Sequence, residues 1–312
     1  MRVTFLGSGG LGLAALRSIV NSRHEIGVVV TPEEARNKRK TMPIPSVAAC
    51  ADRYGLHIVR TKGDISDEAV RTIALSNTDI IVSANWQKLI GRSILDHARF
   101  GGINVHRSLL PAYGGLDPIN WAIVNGETES GVTIHVLADQ FDVGDIVLQR
   151  RYSIGATETG FEVHKKSLEL VSDMIPEALQ HFEDGTVTRT AQDPSELTMF
   201  RRRTDEDNRI DWHADNIEIY NLIRAQTDPF PNAYSSIGGV RLKIKSASLA
   251  TGKFQGRAGS IADRISNGVV VLCGSDEAAL SGLIVHEVQD GSEQPRNVHD
   301  YFSARTEYFD DG

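Results

Sequence analysis

Asn104 and His106 are alternate residues of the apolar run GINVH, Gly102–His106. If that run is a strand, its period of two puts a carboxamide and an imidazole on one face, at the strand's C-terminal end. Side by side, the two can donate hydrogen bonds to a carbonyl oxygen as it becomes an oxyanion, and the imidazole can also move a proton. The later stretch HVLADQFDVGDI, His135–Ile146, supplies three carboxylates, Asp139, Asp142 and Asp145, around a glycine-containing loop. A carboxylate beside the imidazole would fix its tautomer and favour its protonated form, so a raised His106 pKa is expected. His135, His164, His213 and His286 lack such a setting and read as structural.

The elements that must position these groups alternate along the chain. Val3–Phe5 reads as a strand, LAALRSIVNS as a helix, HEIGVVVT as a strand and SVAACADRYG as a helix with Gly55 at its C-terminal cap. LHIVRT, DEAVRTIALSN and TDIIVSANW continue as strand, helix and strand, and GGINVH, PINWAIVNG, GVTIHVLA and DIVLQRRYSI follow before the long helical pattern FEVHKKSLELVSDMIPEALQHFEDG. This is the pattern of an α/β fold, a Rossmann-like and mostly parallel sheet with helices on both faces, in which ligands bind beyond the C-terminal strand ends. After about residue 205 the texture changes to RIDW, a helix IEIYNLIRAQ and five short strands, AYSSI, VRLKIKSASL, AGSIADRI, GVVVLCG and LIVHEVQ. Closely spaced short strands predict a small open β-barrel, OB-like, so residues 1–204 are expected to form the catalytic domain and 205–312 a C-terminal barrel domain.

Bulk properties narrow the class. A chain of 312 residues with 40% hydrophobic and 24% charged residues is ordinary for a globular protein of two domains. It carries no apolar run of membrane-spanning length and no basic-then-apolar leader, so a membrane partner is not expected. Cys50 and Cys273 stand far apart in no metal or redox spacing, which reads as two reduced, structural thiols in the cytoplasm, with no metal. The net charge of −8, with 10 Lys and Arg against 14 Asp and Glu over residues 208–312, argues against a long nucleic-acid backbone as partner. Basic clusters remain at Arg36–Lys40 and Arg201–Arg203.

The opening GSGGLG, Gly7–Gly12, matches the glycine pattern of a dinucleotide-binding turn, and Glu33 or Glu34 stands where the ribose-binding acid would. Larger patterns point elsewhere. NVHRSLLPAYGG, then P-x-x-W-A-I-x-x-G-E-T-x-x-G-V-T-x-H over Pro118–His135 and D-x-G-D-I over Asp142–Ile146, resembles the 10-formyltetrahydrofolate-dependent formyltransferases. The resemblance runs over nearly the whole chain, including RIDW and RAQTDPFPNAY. It implies a Rossmann-like domain followed by a small open barrel, with 10-formyltetrahydrofolate as cosubstrate. It also implies catalytic roles for Asn104, His106 and Asp142. The implied folate contacts are Lys88, Leu89 and Ile90, then Ser108, Leu109, Leu110 and Pro111, then Ala138, Asp139, Gln140 and Phe141, with Tyr113 on the acceptor side. Several small-molecule members carry Arg where Leu116 stands here. In this family the first βα turn holds no dinucleotide, so GSGGLG reads as a tight turn and a helix start.

The resemblance leaves three acceptors. INWAIVNGETESGVTIH and FRRRTDED resemble enzymes that formylate a nucleotide-linked 4-amino sugar, and Arg201, Arg202 and Arg203 would then suit its diphosphate. SANWQ, NRIDW and RAQTDPFP resemble the N5-hydroxyornithine formyltransferases of siderophore assembly. RNKRKTMPIPSV resembles the basic loop of methionyl-tRNA formyltransferases, which the acidic C-terminal third disfavours. A small-molecule amine, first the amino sugar, is the expected acceptor; hydrolysis of formyl-folate is a further alternative.

Overall fold

The computed structural model describes residues 1–33, 46–291, 294–302 and 308–310, so Glu34 and the basic segment Arg36–Lys40 lie outside the described residues. The chain opens with β1 (Arg2–Gly7), α1 (Gly9–Val20), β2 (Glu25–Pro32), α2 (Val47–Arg53), β3 (Ile58–Thr61), α3 (Asp67–Leu75), β4 (Ile80–Ala84), α4 (Arg92–Leu95) and β5 (Gly102–His106). It continues through β6 (Gly114–Gly115), α5 (Pro118–Val124), β7 (Glu129–Val136), β8 (Ile146–Ser153), α6 (Gly160–Asp184) and β9 (Met199–Phe200). Then come α7 (Asn216–Ala225), β10 (Ala233–Ile237), β11 (Val240–Leu249), β12 (Ile261–Ile265), β13 (Gly268–Cys273), β14 (Ser281–Gln289), β15 (Arg296–Asn297) and α8 (Val298–Tyr301).

The first sheet has seven strands in the order β3-β2-β1-β4-β5-β7-β8. Pairing is parallel from β3 to β5 and turns antiparallel where β7 joins β5. The period of two sends neighbouring strand residues into different cores. Val29, Ile80, Val82, Ile103 and Val105 join one cluster with Leu16 of α1 and Val171, Ile175 and Leu179 of α6. Val28, Val30 and Ile81 join another with Ile73 of α3 and Ile94 and Leu95 of α4. Helices therefore cover both faces, as the alternating sequence pattern implies. Helix ends follow their local chemistry: Ser46 and Ser66 accept backbone N–H groups at the starts of α2 and α3, and Gly55, at φ +65°, follows α2 as its capping glycine.

The second sheet is antiparallel, with the path β10-β11-β14-β13-β12 and β15 pairing on β14. All five strands read from the sequence are present. Its core gathers Trp212, Ile219, Ile223, Leu242, Ile244, Val269, Val271, Leu283 and Val285. The packing divides the chain into two compact units. One comprises 1–118, 129–152 and 165–200; the other comprises 119–128 and 153–164 together with 201–312. The latter thus draws in two short segments that lie within residues 1–204. Among the described residues no helix is long and apolar enough to cross a membrane. Cys50 and Cys273 are both buried free thiols.

Candidate active site

β5 delivers Asn104 and His106 to one face of the first sheet because Ile103 and Val105 are committed to the core on the other. The antiparallel neighbour β7 repeats the arrangement. Val132 and Ile134 enter that same core, while His135 lies directly across from Asn104 and Thr133 across from His106. Directly opposite residues of an antiparallel pair share a face, so four polar side chains meet at the end of the strand pair.

The loop after β7 adds the carboxylate. Asp142 adopts φ +58°, in the left-handed region, and its backbone carbonyl accepts from the Gln192 side-chain amide at 2.8 Å. The same amide donates to the Gly144 carbonyl at 2.7 Å, and Gly144 passes so close to the Val136 carbonyl that a Cβ there would lie 1.9 Å from its oxygen. Held in this way, one Asp142 oxygen faces His106 Nδ1 at 3.5 Å and His135 Nε2 at 3.4 Å. The other oxygen accepts the Gly115 N–H at 2.9 Å. His106 Nε2 donates to the Tyr113 carbonyl at 2.8 Å. Tyr113 itself has φ +60°, its N–H bonds Thr198 Oγ1 at 2.8 Å, and its ring stacks on Phe200 with centroids 4.9 Å apart.

Electrostatics here correct one sequence expectation. Burial is the largest influence on His106 and lowers its pKa; Asp142 and the Tyr113 carbonyl push it up but do not prevail. The imidazole is therefore held towards its neutral form, because desolvation in this buried position outweighs one carboxylate at 3.5 Å. Burial pushes Asp142 up, yet His106, His135 and the Gly115 N–H together outweigh it and hold the carboxyl at about 2. The site thus sets an ionised carboxylate beside an imidazole whose charged form burial disfavours.

Of the three carboxylates read from the sequence, Asp142 alone is brought to the imidazole. Asp139 pairs with Arg92 at 3.3 Å, and the Asp145 carbonyl accepts the Val136 N–H. The loop Ser108, Leu109, Leu110 and Pro111 is locked in place: Thr133 Oγ1 donates to the Ser108 carbonyl at 2.7 Å, Gln149 donates to the Leu110 carbonyl at 2.9 Å, and Ser108 Oγ donates to the Ala112 carbonyl at 2.8 Å. Lys88 pairs with Asp64 at 3.1 Å and Ile90 is buried. Leu89 and Phe141 remain exposed at 46% and 48%, which leaves an apolar side chain accessible on each of two loops. Ala138 is half-buried and Gln140 exposed. A cavity of about 440 Å³ is lined by Arg92, Leu95, Arg99, Gly102, Leu137 and Arg189 among others, at the start of β5. Thr133, His135, Gln149 and Gln192 were not singled out as functional from the sequence. The signal available was the echo of N-x-H in T-x-H, Thr133–His135, which becomes meaningful once β5 and β7 are known to pair.

The basic turn of the second unit is internally paired. Arg201 makes two bonds of 2.6 Å to the Asp207 carboxylate, and Arg203 lies over the Trp121 ring at 4.4 Å while donating to the Asp207 carbonyl. Arg202 is exposed. The N-terminal glycine turn is closed in the same manner. Ser8 Oγ donates to the Asn85 carbonyl at 2.7 Å, Asn85 donates back to the Ser8 carbonyl at 3.1 Å, and a Cβ on Gly7 would meet the Phe5 ring at 2.5 Å. Glu33 sits 3.9 Å from Lys62.

Comparison with known proteins identifies the family. Residues 1–179 match the formyl transferase family and residues 202–306 its C-terminal domain. A methionyl-tRNA formyltransferase of Geobacter metallireducens is 32% identical over 284 residues, 91% of this chain and 90% of that protein. The N-formyltransferase from Helicobacter canadensis, solved in complex with folinic acid and dTDP-3-aminofucose, superposes with a TM-score of 0.68 at 18% identity, over 91% of this chain and 98% of that one. HypX from Aquifex aeolicus, solved in complex with tetrahydrofolic acid, superposes at 0.63 and 18% identity, over 96% of this chain and 46% of that one. At those identities the two structures share the fold with this chain. The family assignment rests on both domains and on the 32% relative: the chain belongs to the formyltransferase family and is an enzyme of that class.

Proposed function

We propose that the enzyme moves the formyl group of 10-formyltetrahydrofolate to the amine of a small-molecule acceptor, with N5-hydroxyornithine ahead of a nucleotide-linked 4-amino sugar. The observation that carries the transfer is the convergence of Asn104, His106 and Asp142 at the C-terminal end of β5. The donor supplies an electrophilic formyl carbon on a nitrogen leaving group. Its assigned contacts suit a flat, partly apolar ligand: Leu89 and Phe141 offer exposed apolar side chains, and Ser108–Pro111 form a loop whose carbonyls are already engaged. As the amine attacks, negative charge grows on the formyl oxygen, and the Asn104 amide meets it, joined by His106 Nε2 once that nitrogen carries the proton lost by the amine. That role requires the His106 bond to the Tyr113 carbonyl to be exchanged for one to substrate. His106, with its ring proton shifted to Nδ1 and facing Asp142, takes that amine proton on Nε2 and passes it to the departing folate nitrogen.

Two features favour the smaller acceptor. Arg201 and Arg203, the guanidiniums best suited to a diphosphate, are spent on Asp207 and Trp121. A hydroxylamine nitrogen is less basic than an alkyl amine and arrives neutral at pH 7, which suits a His106 that burial has made a weaker base. The amino-sugar reading keeps Arg202, whose exposed side chain remains a phosphate partner. A charged-tRNA acceptor, named for the 32% relative, is opposed by the net charge of −8 and by Arg241 and Lys245 of β11, which pair with Asp205 and Asp228.

The test is a mixture of 10-formyltetrahydrofolate with N5-hydroxyornithine, an amino-sugar nucleotide and methionyl-tRNA, read by mass spectrometry. Formyl-hydroxyornithine is the expected product. A formylated sugar or tRNA would replace the acceptor, and formate without a formylated amine would make the enzyme a hydrolase.

A further inference from the structure

His135 belongs to no motif that the proposed mechanism uses, yet it touches two of the three residues that do. Its ring is 2% exposed, with Nδ1 3.0 Å from the Val136 carbonyl oxygen and Nε2 3.1 Å from the Asn104 side-chain nitrogen. A carbonyl oxygen only accepts, so the Nδ1 contact requires the proton on Nδ1. In the neutral ring this leaves a lone pair on Nε2, and the Asn104 amide donates one of its two N–H bonds to it. The remaining Asn104 N–H is then fixed in direction, on the face that β5 shares with His106.

The opposite tautomer gives a different site. A proton on Nε2 would point to the Asp142 oxygen at 3.4 Å, turn away from the Asn104 N–H, and leave the Val136 carbonyl without its donor. The groups facing the ring are Asn104 from β5, Asp142 from the loop after β7, and His106 as a second imidazole beside the same carboxylate. The cross-strand register Asn104↔His135 makes the contact a consequence of sheet pairing.

We propose that His135 is a positioning residue whose Nε2 lone pair orients the Asn104 carboxamide, so that the amide presents a fixed N–H to the formyl oxygen in the transition state. This rests on the formyl-transfer reading for the role of Asn104 and adds the residue that sets its geometry. An oxyanion donor contributes about 10²–10³ in rate only when it is aimed, so losing the aim forfeits part of that factor.

Two measurements test it, one of them independent of turnover. Histidine-selective ¹⁵N NMR of the free protein, assigned with His135→Gln, is expected to show the Nδ1-protonated neutral tautomer, with an Nε2 resonance that moves in Asn104→Ala. A proton on Nε2, or an Nε2 resonance indifferent to Asn104→Ala, overturns the proposal whatever the enzyme's acceptor proves to be. In kinetics, His135→Leu is expected to lower kcat about tenfold or more with the KM for the formyl donor nearly unchanged. His135→Gln, whose amide oxygen replaces the lone pair, is expected to recover most of that rate. In the Asn104→Ala background His135→Leu is expected to cost nothing further. Losses that multiply independently, or a Gln variant no better than Leu, overturn the positioning role. A wild-type enzyme that turns over no formyl donor would instead strike the formyl-transfer reading, while the NMR result still decides the tautomer.

Discussion

Two strand ends of the same sheet both look like ligand sites, and the structure treats them in opposite ways. At the end of β1 the glycine-rich turn is closed on itself: Ser8 and Asn85 bond each other's backbone, and Gly7 lies against Phe5 and the Ala84 carbonyl. At the end of β5 the groups that converge are ionisable and buried, and their lone pairs and protons face one another across 2.8–3.5 Å. Glycines there serve packing, whereas here a carboxylate, two imidazoles and an amide are held where no apolar core needs them. A motif of small residues is satisfied by close packing alone. A cluster of buried titratable groups has a stability penalty that packing does not repay, which is why it marks the site.

The contrast can be broken by mutation, and the largest effects belong to β5. His106→Ala and Asn104→Ala are each expected to lower kcat by about 10²–10⁴ with little change in melting temperature, measured by formyl transfer and thermal denaturation. Asp142→Asn, which keeps a residue type tolerant of the left-handed backbone, is expected to lose rate while folding normally. If all three retain wild-type rates, the distinction between the two strand ends fails.

The next effect is one of pH. His106 accepts a proton only when neutral, and burial lowers its pKa below the ordinary 6.5. Activity is therefore expected to hold as pH falls through 6.5 and to decline only below it, in a pH profile of kcat/KM. An acid limb above that value would restore the carboxylate-dominated expectation. Stability follows with its own sign. Because the folded pKa of His106 is depressed, the unfolded chain binds the proton first, and stability falls as pH drops through the ordinary histidine range. Asp142, held at about 2 rather than 3.8, contributes stability above its unfolded value that is lost as pH falls from there towards 2.

Effects at the glycine turn are smaller and act on stability. Gly7→Ala is expected to destabilise by about 1–3 kcal/mol, because its Cβ would meet the Phe5 ring at 2.5 Å and the Ala84 carbonyl at 2.8 Å. Gly10→Ala, with open space around its Cβ, is expected to stay within about 1 kcal/mol of wild type, on the stabilising side. Both should keep the wild-type KM for the formyl donor. Smallest of all, a nicotinamide dinucleotide is expected to leave the melting temperature unmoved; a concentration-dependent rise would reopen the turn as a site.

The alternation of elements, both faces of the first sheet and the five strands of the second were legible in local patterns, since period two and period 3.6 are properties of neighbouring residues. The pairing of Asn104 with His106 on one face was legible for the same reason. His135 was not: it meets Asn104 only through the antiparallel register that sets the two opposite each other, thirty-one residues apart in the chain. Thr133, Gln149 and Gln192 were hidden likewise, because they act on backbone carbonyls brought near by the fold. Arg201 and Arg203 look like free cations in sequence and are occupied in the structure by Asp207 and Trp121.

The sequence by itself determined the element order, the residue types of the proposed catalytic set and the family to which the chain belongs. Tertiary structure decided which aspartate meets the imidazole, which histidine lies across from Asn104 and which way the His106 pKa moves. Composition fixes how many charges a chain carries, but desolvation and distance fix what each charge does, and both exist only once distant segments are packed together.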